Sequence, residues 1–345
     1  MRSGSGRRRG PSPARGGEPL SPGSVPPRAA DGPPELTIDF DNRRQLARLV
    51  TRIENDPASA AAIIHRVWDR IGGAHRIGVT GPPGVGKSTL VDHLIAMARA
   101  AGSTVAVVAV DPTSPFSGGA ILGDRVRMLR HSGDHGVYIR SMAAREHLGG
   151  LAGSTRDVAH LLDAFGFGIV LLETVGVGQS ELDIMRAADT VVVVTSPGLG
   201  DSIQMLKAGI LEIADLLVVN KSDRPGAKEA VLQLRELQHL ARRSSPWEVP
   251  ILETVGSEGT GVEELWRMTR RHWEYLEASG ELAVRRARRA EREVLDLVER
   301  GLAVHVRAKL DGHSALGQIL DRAKSQAIDP HSAAGALLDH LLRHP

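Results

Sequence analysis

The sequence contains no cysteine, and only 3% of its residues are aromatic. The first absence excludes disulfides and thiolate metal sites and fits a reducing cytosol, so a cytoplasmic location is expected. The second leaves too few rings for a platform on which nucleic-acid bases could stack. A formal net charge of +2 is likewise too small to argue for nucleic acid as a partner. No apolar run approaches the ~20 residues of a membrane span, so no membrane association is expected. The basic start, Met1 to Arg9, has no apolar segment behind it that would make a secretory signal. What remains, 41% hydrophobic and 24% charged residues over 345 positions, is the composition of a soluble globular protein with room for one large domain or two ordinary ones.

Residues 1–34 are rich in Gly, Pro, Ser and Arg and nearly empty of large apolar side chains, which predicts a disordered tail in which Arg7-Arg8-Arg9 is solvated. A helical segment is expected over 41–72. Asp41 or Asn42 can cap a helix carrying Leu46, Leu49, Val50 and Ile53, and Pro57 can start a second with Ile63, Ile64, Val67 and Trp68 packed inward. From His75 short β-rich runs alternate with helices, the pattern of an α/β fold with a mostly parallel sheet covered by helices. Strands are expected at Ile77 to Thr80, Val105 to Val110, Val137 to Arg140, Ile169 to Glu173, Thr190 to Thr195, Leu216 to Asn220 and Ile251 to Thr254. This domain spans 73–278. A helical extension, 279–345, follows, with a basic stretch from Glu281 to Leu310 and an amphipathic segment from Pro330 to Leu342.

The stretch Gly81-Pro82-Pro83-Gly84-Val85-Gly86-Lys87-Ser88-Thr89 fits G-x-x-x-x-G-K-[ST] completely and lies between an expected strand and an expected helix. It is the phosphate-binding loop of a P-loop NTPase. Its glycines let the backbone turn so that successive N–H groups face phosphate oxygens. Lys87 would place a compact charge on the β- and γ-phosphates, the Ser88 hydroxyl would complete the shell of Mg²⁺, and the following helix adds its N-terminal dipole.

Four further segments fall at strand ends, where open α/β sheets bind ligands. Asn220-Lys221-Ser222-Asp223 follows an apolar run. The Asp223 carboxylate can accept both the N1–H and N2–H donors of guanine, a pair adenine lacks, so the nucleotide is expected to be GTP or GDP. Lys221 can lie along the base, and Asn220 can tie the segment to the phosphate loop. Glu173-Thr174-Val175-Gly176 supplies a carboxylate at a strand end and a glycine three residues later: Glu173 would hold Mg²⁺ through water, and the Gly176 N–H would contact the γ-phosphate. Asp111 and Asp124 are candidates for the outer metal shell or for positioning the attacking water, and Arg127 for stabilising charge on the transferred phosphoryl group. Thr254-Val255-Gly256-Ser257 is placed for backbone contact to guanine O6. His131 and His135 stand at helix-turn spacing, but Gly133 between them favours a solvated loop over a metal site.

Taken together these segments resemble the MeaB/ArgK family of P-loop GTPases. The resemblance rests on V-D-P-T-S-P-F-S-G-G-A-I-L-G-D at Val110 to Asp124, E-T-V-G-V-G-Q-S-E at Glu173 to Glu181, N-K-S-D at Asn220, I-Q-M-L-K-A-G at Ile203 to Gly209 and E-G-T-G at Glu258 to Gly261. It implies a GTPase that binds an adenosylcobalamin-dependent acyl-CoA mutase, gates cofactor loading, and protects or reactivates the mutase. Whether a cobalamin adenosyltransferase also binds is left open. The family's homodimers form through a C-terminal helical extension, which falls on Glu281 to Leu310. Gly198 to Lys207, with Gln204 and Lys207, resembles the mobile segment that couples nucleotide state to the mutase, and Arg127 matches the arginine of the family's G-D-K-T-R.

Departures are Arg125-Val126 in place of Lys-Thr, Ser202 in place of an acidic residue, and Ser141-Met142-Ala143-Ala144 in place of a Pro/Ser-rich run. The last resembles a branch serving a different short acyl-CoA mutase. Catalysis would be in-line water attack on GTP, slow without a partner, with Gln179 the nearest glutamine to the sensor glycine. Two alternatives differ in class. A transport-associated kinase would use ATP, against the N-K-x-D segment. A metallochaperone GTPase would need a Cys- or His-rich delivery motif.

Overall fold

The computed structural model describes residues 37–111, 129–131, 133–143, 150–174, 182, 185–198, 210–240, 246–310 and 315–343. In chain order, α1 (Arg43–Asn55) and α2 (Pro57–Val67) precede β1 (His75–Thr80), and α3 (Lys87–Ala100) leads to β2 (Val105–Asp111) and β3 (Val137–Ala143). Then come α4 (Gly150–Ala164), β4 (Ile169–Thr174), β5 (Thr190–Thr195), the single turn α5 (Ile210–Ile213), β6 (Leu216–Asn220), α6 (Ala227–Leu240) and β7 (Ile251–Thr254). Four helices follow: α7 (Val262–Ala278), α8 (Glu281–Leu310), α9 (Ala315–Lys324) and α10 (Pro330–Arg343).

The strands form one seven-stranded sheet in the order β3-β2-β4-β1-β5-β6-β7, every pair parallel. Parallel strands need helical crossovers, and these cover both faces. The four central strands β4, β1, β5 and β6 are therefore buried at every position and read as continuous apolar runs instead of alternating ones. One side of the core packs Leu90, Leu94 and Ile95 of α3 with Leu265 of α7 onto Ile77, Val79, Val192, Val194 and Val218.

The amino-terminal helices start as their caps dictate. The Asn42 side chain accepts the Gln45 N–H at 3.0 Å, and Leu46, Leu49, Val50 and Ile53 share the buried face of α1. Asp56 accepts the Ala58 N–H at 3.0 Å, ahead of Pro57 in the first turn of α2. Trp68 departs from expectation. The chain tightens into a 3₁₀ turn over Trp68–Arg70, which rotates the indole off the apolar face and leaves it 53% exposed. At one edge of the sheet, β3 runs three residues beyond its expected end. Ser141, Met142 and Ala143 pair with Ala109, Val110 and Asp111, and Met142 is buried. Ladder pairing and burial here override weak intrinsic strand preference. Arg140 of this edge strand is held by Glu54 and, at 3.2 Å, by Thr51, so α1 guards the edge.

At the amino-terminal ends of the strands, buried carboxylates tie the chain together. Asp163 of α4 accepts the N–H groups of Gly72, Gly73 and Ala74 at 2.9, 3.1 and 3.0 Å and pairs with Arg76 at 3.3 Å. Asp189 accepts the Arg76 N–H at 3.0 Å and the guanidinium groups of Arg286 and Arg289 at 3.1 and 2.9 Å. Asp215 accepts the Val191 N–H at 2.9 Å and pairs with Arg285 at 3.0 Å. The three arginines belong to the first turns of α8, which the sheet therefore grips at its base. Further along, Glu293 lies 3.3 Å from His160 and Asp296 lies 2.8 Å from Arg156, both on α4.

Behind these pairs runs a buried chain of hydrogen bonds: His75 Nε2 to the Thr190 hydroxyl at 2.7 Å, and that hydroxyl to His272 Nδ1 at 2.8 Å. Burial, opposed by Asp189, pulls the His75 imidazole down to about 3. Burial, opposed by Asp215, pulls His272 down to about 4. Burial alone would raise the Asp189 carboxyl, but Arg289 and Arg286 outweigh it and hold the group at about 2.

Candidate functional site

β1 lies between β4 and β5, and the chain crosses from one side of it to the other. The carboxyl ends of these strands therefore border the crevice that a reversal of strand order opens in such sheets. The loop after β1 occupies that crevice. Gly81 has φ 145, and a Cβ there would stand 2.0 Å from the Val194 carbonyl oxygen. Gly86 has φ 98, and a Cβ there would stand 2.4 Å from Asn220 Nδ2. No other residue fits either position without moving backbone or the Asn220 amide.

Lys87, at the first turn of α3, is buried, and its Nζ donates to the carbonyl oxygens of Gly81 and Pro82, both at 2.8 Å. The ammonium thus lies inside the curve of its own loop. Ser88 Oγ donates to Glu173 Oε1 at 2.6 Å, and both residues are buried. This contact spans 85 residues of sequence and joins the phosphate loop to the end of β4. Around them Pro82 and Val85 are buried, Thr89 is half-buried, and Pro83 and Gly84 are exposed at the rim.

The end of β6 supplies the second half of the site. Asn220 is buried and donates from Nδ2 to the Val85 carbonyl at 2.7 Å. Its Oδ1 accepts the Thr254 hydroxyl at 3.0 Å and the Gly256 N–H at 2.9 Å. One amide therefore holds the phosphate loop, the end of β7 and the loop after β7 in register. Lys221 adopts φ 58, and its Nζ donates to the Gly84 carbonyl at 2.6 Å. Asp223 and Ser257 are exposed. The loop after β7 is closed on itself by the Val255 and Thr260 bridge and by the Glu258 N–H bonding to the Val255 carbonyl at 3.0 Å.

Sequence reasoning brought these groups together apart from His93. This residue lies on α3, and its Nε2 stands 2.8 Å from the Gly256 carbonyl oxygen. Nothing in the local pattern distinguishes it from a surface histidine of an amphipathic helix. His131 needs correcting. It sits on a 3₁₀ turn over Leu129–His131, and its side chain is largely buried with Nε2 3.0 Å from Asp92. It is not part of a solvated loop, because the Asp92 carboxylate on α3 draws in both His131 and Arg130. His135 is exposed. The backbone of Asp111 ends β2 opposite Ala143. Asp124, Arg127, Gly176 and Gln179 lie outside the described residues, as do Gln204, Lys207 and the tail over 1–34. Among the described residues no group of three His, Asp or Glu side chains is placed to hold a metal, and no helix is long and apolar enough to cross a membrane.

The family model described as methylmalonyl-CoA mutase-associated GTPase MeaB matches residues 46–311. The chain belongs to the MeaB family. Relatives agree with this. A Pyrococcus horikoshii protein named for a GTPase assignment is 49% identical over 304 residues, covering 87% of this chain and 95% of its own length. The GTPase ArgK of Escherichia coli is 32% identical over 307 residues, covering 87% and 93%. The mouse protein named methylmalonic aciduria type A homolog, mitochondrial, is 35% identical over 267 residues, covering 76% and 64%. A crystal structure described as LAO/AO transport system kinase superposes with a TM-score of 0.61 at 25% identity, covering 87% of this chain and 99% of that one. This MeaB-family chain is a P-loop GTPase: it binds guanine nucleotide and hydrolyses GTP.

Proposed function

We propose that the chain is a GTP-hydrolysing chaperone of an adenosylcobalamin-dependent acyl-CoA mutase, methylmalonyl-CoA mutase or a related short acyl-CoA mutase. In this reading it gates cofactor loading and protects or reactivates its client. The observation that carries this is the match of a mutase-associated GTPase family over residues 46–311, and the name of the mouse relative points the same way.

Chemically, the loop Gly81 to Thr89 would wrap the phosphates, with its N–H groups and Lys87 offsetting their charge. The base would lie against the Lys221 stem with Asp223 on its N1–H and N2–H edge, and the N–H of Ser257 would meet O6. Ser88 and Glu173, two hard oxygen donors in contact at 2.6 Å, suit Mg²⁺, with Asp111 and Asp124 completing the candidate set. When bound, that ion would supply charge neutralisation on the phosphates. Arg127 would add charge, and a positioned water would attack in line.

The second arm of the proposal is a homodimer through α8. Leu295, Val298 and Leu302 are exposed on that helix at 57%, 53% and 60%, and a stripe of this kind favours burial against a second copy. In domain terms the proposal keeps a helical segment over 41–72, the GTPase domain over 73–278 and an extension over 279–345. A cobalamin adenosyltransferase is a further candidate partner, and a cytoplasmic location fits such clients.

The deciding experiment is capture of purified acyl-CoA mutases by the immobilised chain with a GTP analogue, with GDP, or without nucleotide. Capture of one mutase in a nucleotide-dependent manner is expected. Absence of capture in every state, with GTP hydrolysis intact, would remove the chaperone reading. The transport-kinase description of the superposed structure supports one rival, phosphorylation of an amino-acid-binding protein with ATP. Preference for ATP over GTP in the same preparation would favour it.

A further inference from the structure

Gly256 is fixed at both of its backbone polar groups, one in each flanking peptide, by two different elements. Its N–H is held by Asn220 Oδ1 at 2.9 Å. Its carbonyl oxygen lies 2.8 Å from His93 Nε2, and because a carbonyl can only accept, the imidazole donates there. Leu90, one turn earlier on α3, leaves 3.3 Å to the place a Gly256 Cβ would occupy, so this helix also sets the distance of the loop. Gly259 closes the other side, the place of its Cβ lying 3.4 Å from the His93 ring.

The next group in the chain is the Ser257 N–H. It shares a planar trans peptide with the Gly256 carbonyl, and in such a unit C=O and N–H point in opposite directions. Drawing the carbonyl toward α3 therefore turns the Ser257 N–H away from α3, on the side where Ser257 is exposed. We infer that His93 is a specificity-positioning residue: from the phosphate-binding helix it orients the Ser257 N–H that recognises the 6-oxo group of the purine. An adenine, with an amino group at that carbon, presents a donor to this donor and is rejected. This inference rests on the base-site reading given under the proposed function.

The test compares Kd values for GDP and ADP in the full chain carrying His93→Phe, which keeps an aromatic ring and removes the donor, with Asp223→Asn as reference. Loss of one oriented hydrogen bond predicts a GDP Kd raised about tenfold, with ADP changed less than about twofold. KM for GTP should rise in step while kcat at saturation stays within about twofold. His93→Gln, whose amide nitrogen can reach a similar point, should recover most of the discrimination. Should His93→Phe fold poorly, His93→Asn, too short to reach the carbonyl, carries the same expectation. If Asp223→Asn abolishes guanine preference and the His93 variants leave it intact, His93 has no part in specificity and the inference is overturned. If both sets leave it intact, the base-site reading falls and takes the inference with it. Equal weakening of GDP and ADP would show a merely structural histidine and would also overturn the inference.

Discussion

The two ends of the sheet are built on opposite principles. At the carboxyl ends of the strands the loops are shaped by backbone: glycines at positive φ, carbonyl oxygens of Gly81, Pro82, Gly84 and Val85 engaged by Lys87, Lys221 and Asn220, and the N–H and carbonyl of Gly256 each held by a side chain. At the amino ends, side-chain charges do the work, with Asp163, Asp189 and Asp215 receiving Arg76, Arg285, Arg286 and Arg289. One end must admit and release a charged ligand. The other must hold α8 against the sheet whatever the ligand does. Directed backbone groups serve the first need and buried ion pairs the second.

The contrast can be broken most forcefully at the base. Asp189 is fully buried, and Asp189→Ala removes the carboxylate shared by two guanidinium groups and the Arg76 N–H, so unfolding in urea should become easier by about 3–5 kcal/mol. Per folded molecule, GTP turnover should stay near the wild-type rate. A loss of turnover without a loss of stability would show that the base and the site are not separable. At the other end, Lys87→Ala should lower the rate of phosphate release by about 10²–10³-fold, with a far smaller shift in the urea midpoint. Unchanged turnover would remove Lys87 from the chemistry.

The smallest effect is on pH. His75 and His272 are held at about 3 and about 4 when folded, against roughly 6.5 in an unfolded chain. Between these limits the unfolded state binds the extra protons, so the stability they confer is complete above pH ~6.5 and declines as pH falls toward their folded values. His160, held low chiefly by burial, acts in the same sense. Asp157 acts in the opposite one. Burial and then Glu293 raise it to about 6, so its contribution is lost as pH rises through that value. Urea titrations from pH 7 to pH 4 should therefore show stability falling with acid. His272→Gln should reduce that slope by about 1.4 kcal/mol per pH unit between pH ~4 and ~6. An unaltered slope would place the acid sensitivity elsewhere.

The same contrast explains what could be read in advance. The phosphate loop and the segment Asn220 to Asp223 were legible because backbone-built sites need particular residues in a particular order over a few positions, and strands buried on both faces advertise themselves as apolar runs. The base was not legible. Arg76 and Asp163 stand 87 residues apart, and Arg286 and Asp189 stand 97 apart. A basic stretch on a helix gives no hint of which arginines turn inward. His93 was missed, and His131 was expected in a solvated loop, for a related reason: each is defined by its partner across space, Gly256 in one case and Asp92 in the other. Trp68 shows the limit of periodicity, since a single tighter turn moves a large ring from core to surface.

Lys221 stands at φ 58, where a side chain with a Cβ costs roughly 1 kcal/mol more than glycine. The residues that sit comfortably in this conformation, Gly, Asn and Asp, have no long cationic stem to lay on the Gly84 carbonyl, and those with such a stem do not sit comfortably. A selection for thermal endurance alone would accordingly tend to replace Lys221 with glycine or asparagine early on, and would leave the Asn220 amide to hold the phosphate loop to the end of β6 without the lysine's help.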